Sequence, residues 1–151
     1  FAKFVNVIAK LNLPSDIVNS DWSLEYEVCL YRDLVFAFGK SVRNTEFSPK
    51  RTFDLCLFSP KAIIVIEAKA FMGFDEAQVK SFRKDKEMIN ELFQYLSVGN
   101  VEHSKLVGLS ARPQRVADPF DGHLTWEQFR EFQKGLHPRL DNVISRVSSM
   151  A

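Results

Sequence analysis

Residues 53–70 read FDLCLFSPKAIIVIEAKA, and the fold turns on this stretch. Ala62 to Ile66 is apolar without a break and rich in β-branched side chains. A strand with one wet face alternates, whereas an unbroken apolar run marks a strand covered on both faces. Upstream, Thr52 to Phe58 alternates as a strand, and Ser59-Pro60-Lys61 supplies a turn in which proline suits the first central position. A hairpin closing on Pro60-Lys61 sets Phe58 opposite Ile63, Cys56 opposite Val65 and Asp54 opposite Glu67. Side chains alternate along a strand, so Glu67 and Lys69 point to one face and Ala68 to the other.

Directly opposed residues on one sheet face have side chains about 5 Å apart. Two carboxylates that close resist ionising together. A hard divalent cation between them relieves the repulsion. Mg²⁺ takes oxygen ligands, usually one or two carboxylates with waters and a substrate phosphate. The ammonium of Lys69 beside such an ion can hold an attacking water or the charge that develops on phosphorus.

Outward from the hairpin, Phe1, Phe4, Val5, Ile8 and Leu11 have helical spacing over residues 1–12, and Pro14 ends it. Trp22 to Phe38 reads as a longer helix with Gly39 as its C-cap and Asp21 or Ser23 at its start. Ser41 to Phe47 is compatible with a strand. Phe71 to Phe74 is a loop, Asp75 opens a helix to about Leu96, and His103 to Ala111 is a further strand. Arg112 to Gly122 reads as a loop. Thr125-x-x-Gln128 is a capping box opening a helix to about Leu136, and a last helix runs from about Pro138 to Val147. The expected architecture is a single α/β domain over residues 1–151. It has a mixed β-sheet with helices on both faces, a core of about 22–111 and a C-terminal helical extension of about 123–149.

Composition narrows the functional classes. The chain has 151 residues, 46% hydrophobic and 26% charged, with fourteen phenylalanines to fill one core. A net charge of +1 is not that of a basic nucleic-acid coat, so nucleic-acid binding would rest on local clusters. Cys29 and Cys56 read as reduced, buried thiols of a cytoplasmic protein. No apolar run approaches the ~18 residues of a membrane span. Residues 1–14 do not resemble a signal peptide. His103, His123 and His137 lack zinc-site spacing, and no glycine-rich phosphate loop occurs, which argues against a nucleotide cofactor.

Phe53-Asp54 followed by Glu67-Ala68-Lys69 resembles the PD-(D/E)XK nuclease superfamily, over roughly Trp22 to Ala111. Phe53 stands where the family motif has proline. The resemblance implies a restriction-endonuclease-like αβββαβ core and a Mg²⁺-dependent phosphodiesterase, with Mn²⁺ able to substitute. It implies that Asp54, Glu67 and the carbonyl of Ala68 bind the metal and that Lys69 orients or activates water. Family members often add a glutamate on the helix before the sheet. Counting from Glu27, the helical positions Leu30, Tyr31, Leu34, Val35 and Phe38 are all apolar, so Glu27 is preferred to Glu25. Gln78 matches a glutamine found early in the following helix, and Asp75-x-x-Gln78 is equally a capping box.

Lys50 and Arg51, before the Asp54 strand, are placed to meet backbone phosphates, as are Arg112 and Arg115 after the last strand. Lys80, Arg83, Lys84 and Lys86 form a basic run that is a solvated face or a phosphate strip. DNA is the expected partner, and cleavage of a duplex by so short a chain would call for a homodimer. The rival reading is a nuclease-fold module that binds nucleic acid or protein without turnover. A third is an RNA-directed nuclease.

Overall fold

The hairpin read from the sequence stands at the centre of the sheet. The computed structural model describes residues 1–39, 51–70, 74–96, 101–112 and 119–134, with side chains for all of these but 94–96. Strands β2 (Phe53–Phe58) and β3 (Ala62–Ala68) pair antiparallel, with Phe58 facing Ile63, Cys56 facing Val65 and Leu55 facing Ile66. The turn is closed by Ser59, whose N–H donates to the Ala62 carbonyl (2.8 Å) and whose Oγ accepts from the Ala62 N–H (3.0 Å). All residues of β3 from Ala62 to Glu67 are buried, as the unbroken apolar run requires.

Strand β1 (Ser23–Val28) adds antiparallel to the outside of β2. After β3 the chain enters helix α4 (Glu76–Leu96) and returns as β4 (His103–Ser110), parallel to β3. A short β5 (Gly122–Thr125) lies parallel to β4. The sheet is mixed, in the order β1-β2-β3-β4-β5.

Helices cover both faces. On one, Leu30, Tyr31 and Val35 of α3 (Leu30–Ala37) and Phe82, Ile89 and Leu92 of α4 pack on Cys56, Ile63, Val65 and Leu106. On the other, Ala2 and Val5 of α1 (Ala2–Ile8), with Leu11 and Leu13, pack on Leu57, Ile64, Ile66, Val107, Leu109 and Leu124. A one-turn α2 (Ser15–Val18) follows α1, and α5 (Trp126–Gln133) follows β5. The α5 start carries the capping box: Thr125 accepts from Gln128 N–H (3.2 Å) and Gln128 Oε1 from Thr125 N–H (2.8 Å).

Three sequence expectations are corrected. Residues 22–38 are not one helix: Ser23–Val28 is strand β1, and only Leu30–Ala37 is helical. Leu24, Tyr26 and Val28 alternate in strand fashion, but they also extend the apolar stripe of α3 backwards, so the two periods overlap. Helical phase is broken at Glu27, near the end of β1, whose φ of +50° no helix tolerates, and the Asp33 carboxylate accepts the Cys29 N–H (2.9 Å) at the true helix start. The second correction is β5, which falls at the end of the expected loop 112–122 and the start of the expected helical extension. Four residues are too few for alternation to show, and this strand exists because β4 offers it an edge. Helix α1 is shorter than expected, because Lys10 and Asn12 take left-handed φ values of 54° and 55°. The expected strand 41–47 and final helix 138–147 lie outside the described residues. No helix among the described residues is long and apolar enough to cross a membrane.

Gly122 of β5 lies against Ala9, the residue that caps the end of α1. A Cβ there would lie 2.2 Å from the Ala9 carbonyl oxygen and 2.8 Å from the Ala9 Cβ. Backbone cannot yield as a flexible side-chain tip does. Gly122→Ala is therefore expected to destabilise the protein by about 1–3 kcal/mol. Urea unfolding would measure it; a midpoint equal to the parent's would show that the approach of α1 is not tight.

Candidate functional site

One step beyond the Leu55–Ile66 pair, the β2–β3 register brings Asp54 beside Glu67, at the end where β3 runs out. Asp54 shares parity with Cys56, and Glu67 with Val65, so both leave the sheet on the α3/α4 face. Asp54 is exposed and Glu67 is buried. The Asp54 Oδ2 accepts the Ala68 N–H at 2.7 Å, which clamps the carboxylate to the last residue of β3. The Glu67 carboxyl lies near enough to Asp54 for each to feel the other's charge.

Burial pushes Glu67 up to about 8, against the pull of Arg51, and the neighbouring Asp54 and Asp85 carboxylates add to the rise. The protonated form of Glu67 is thereby favoured towards neutral pH in the absence of an added cation. Cys56, one step down the same face, is driven up to about 12 by its burial and by the two acids. Both cysteines are buried, and neither is in a disulfide among the described residues.

Lys69 lies just beyond β3. Its N–H donates to the Leu109 carbonyl (2.7 Å) and its carbonyl accepts from Trp126 Nε1 (2.7 Å), so its backbone is tied to β4 on one side and to α5 on the other. The side chain thus springs from a fixed point next to Glu67.

Glu27 does not occupy a helix. It lies inside β1, one residue before its end, in the row that contains Asp54, between the pairs Tyr26–Leu55 and Val28–Phe53, and its positive φ takes it out of the ladder. The helical phase that favoured Glu27 over Glu25 does not apply, although β1 still brings Glu27 to the row of Asp54 and Glu67. Gln78 completes the capping box of α4, accepting from Asp75 N–H (3.2 Å) while Asp75 accepts from Gln78 N–H (2.8 Å).

The basic residues divide. Arg51 is turned inward: its Nη2 lies 2.9 Å from Glu67 Oε1 and 2.9 Å from Asp85 Oδ2, and its Nε donates to Asp85 Oδ2 (2.9 Å). Its guanidinium sits over the rings of Phe53 (5.0 Å) and Phe82 (5.3 Å). Lys80 and Arg83 are exposed and fall on the face of α4 opposite the stripe Phe82, Asp85, Ile89, Leu92, so they do not converge on the acidic pair. Lys86 binds Asp121 (2.9 Å). Arg112 is exposed just past the carboxyl end of β4, the same end of the sheet as Lys69. Lys50 and Arg115 lie outside the described residues.

Two residues of this region escaped the sequence reading. Asp85 is a buried acid on the apolar stripe of α4, between Phe82 and Ile89, and that misplaced charge was the signal for it. The other is His123. Across β4 the row runs from Glu67 to Gly108 to His123, and the His123 ring leans over the glycine, where a Cβ would come within 2.7 Å of Nδ1. Its Nε2 meets Ser110 Oγ (3.0 Å), which donates to the Arg112 carbonyl (2.8 Å), while Nδ1 is buried without a partner. Burial lowers its pKa, so the ring is neutral at pH 7. No sequence signal separates this histidine from any other, because β5 itself was not visible.

Among the described residues no group of three or more His, Cys, Asp or Glu side chains is placed to share an ion. The row supplies two carboxylates, which suits Mg²⁺ better than a transition metal, since Mg²⁺ commonly fills its remaining positions with water and phosphate oxygen. No protein-family model, no curated protein and no solved structure gives a significant match to the chain.

Proposed function

We propose that the protein is a Mg²⁺-dependent nuclease of the PD-(D/E)XK type that hydrolyses phosphodiester bonds in DNA. The observation that carries this reading is the paired Asp54 and Glu67 at the end of the β2–β3 hairpin, with Lys69 two residues on. The chain order supports it as well: a three-stranded meander, a crossover helix and a parallel strand follow one another, with α3 inserted after the first strand.

In this reading Asp54 and Glu67 hold the ion, together with the Ala68 carbonyl. When bound, Mg²⁺ would neutralise the carboxylate pair and polarise a phosphate oxygen. Lys69 orients the attacking water and meets the charge that develops on the phosphate oxygens. Arg112, at the same end of the sheet, would contact the nucleic-acid backbone, and Lys80 and Arg83 would contribute a more distant phosphate contact. Trp126 fixes the carbonyl of Lys69, so the ammonium stays in register with the acids.

The test is calorimetry with Mn²⁺ at pH 7 in buffers of different ionisation enthalpy. Because Glu67 holds a proton at that pH, ion binding is expected to release about one proton, and Glu67→Gln is expected to abolish both the binding and the release. Binding that survives Glu67→Gln would remove the acidic pair as the ion's seat. No binding by the parent would favour the module without turnover. A substrate panel in Mg²⁺ then separates DNA from RNA as the target.

A further inference from the structure

We propose that Arg51 is a positioning residue for the acidic centre, and that Arg51, Asp85, Phe53 and Phe82 form a rigid bracket that aims the Glu67 carboxylate at Asp54. The inference rests on the metal-binding reading of Asp54 and Glu67.

The bracket has three fixed points. Asp85 takes Nε and Nη2 of Arg51 on one oxygen, both at 2.9 Å. Phe53 and Phe82 flank the guanidinium with ring centroids at 5.0 and 5.3 Å. Both are nearly fully buried, so the walls do not move aside. Glu67 Oε1 is the remaining partner, at 2.9 Å from Nη2. A guanidinium held by an acid below and rings on two sides has little freedom to follow Glu67; Glu67 must conform to it. One carboxylate oxygen is engaged by Arg51, and the group keeps further lone pairs for an ion.

The charge of Arg51 opposes a nearby dication, and taken alone it would weaken binding. Asp85 answers this. Arg51 and Asp85 together are neutral, so the ion sees mainly their dipole, and what the pair contributes is geometry. Outer partners that orient metal ligands are commonly worth 10–100-fold in affinity. The pair also joins β3 to the buried face of α4, which explains why an acid stands on that helix's apolar stripe.

The test replaces one neutral pair by another. Mn²⁺ affinity is measured by calorimetry and by electron paramagnetic resonance for the parent, Arg51→Lys, Arg51→Met/Asp85→Asn and Glu67→Gln, with urea unfolding on the same samples to confirm that each is folded. The expected result is a Kd raised about 10–100-fold in the double variant and by an intermediate factor in Arg51→Lys, which keeps the charge but not the fork. A double variant that is folded and binds Mn²⁺ as tightly as the parent overturns the proposal. If the double variant does not fold, Arg51→Lys decides it: unchanged affinity there overturns the proposal, and partial loss upholds it. If Glu67→Gln binds as the parent does, or the parent binds none, the metal reading itself fails and the proposal fails with it.

Discussion

Asp54→Asn and Lys69→Ala proteins should fold like the parent and cleave DNA in Mg²⁺ about 10²–10⁴-fold more slowly. The asparagine is chosen because its amide oxygen can still accept the Ala68 N–H that Asp54 Oδ2 now takes at 2.7 Å. The strand end is then preserved while the negative charge is lost. Lys69 is equally separable from the fold. Its structural ties are backbone bonds to Leu109 and Trp126, and alanine keeps both. Thermal unfolding within about a degree of the parent, with cleavage abolished, would locate the effect in the chemistry. A Lys69→Ala protein that digests plasmid at the parental rate would end the role assigned to Lys69. Parental cleavage by Asp54→Asn would dispose of the site as a whole.

The second large effect lies in stability against pH without added divalent ions. Glu67 is raised from an ordinary value of 4.5 to about 8, chiefly by burial. A carboxyl raised on folding favours the native state below its unfolded pKa, where it is protonated in both states. That contribution is lost as pH climbs towards the folded value, because the unfolded chain has already released the proton. Glu67 should therefore draw stability down between about pH 4.5 and pH 8. Glu67→Gln removes the titration. The variant is expected to match the parent at about pH 4 and to be the more stable of the two by about 2 kcal/mol at pH 8.5. Saturating Mn²⁺ should reverse the order, since binding to the native state stabilises only the parent. A difference between the two proteins that stays flat from pH 5 to pH 8.5 would mean that Glu67 is ionised throughout.

Both expectations depend on contacts of unequal legibility. The hairpin register was readable because its evidence is local: an apolar run, an alternating run and a short turn between them leave one way to pair. Asp54 and Glu67 follow from it directly. The capping boxes at Asp75 and Thr125 were readable for the same reason, since each is closed within four residues. The segment 22–38 was misread because Leu24, Tyr26 and Val28 satisfy two periods at once, and strand β1 exists only through its pairing with β2. Asp85 was visible as a charge on an apolar stripe, but not its use, because nothing local joins it to Arg51, thirty-four residues away. Arg51 itself read as a phosphate contact, and the fold turns it inward.

By itself, then, the sequence determined the central hairpin, the covered strand β3, the long helix after it and the meeting of Asp54 with Glu67. These depend on side-chain alternation and turn chemistry, which act between near neighbours. Only the tertiary structure decided that β1 and β5 are strands, that Arg51 binds Glu67 and Asp85, and that Trp126 and Leu109 hold Lys69 in place. Those outcomes are set by which edge, ring or carboxylate a segment meets once the sheet has closed, and no local pattern encodes the meeting.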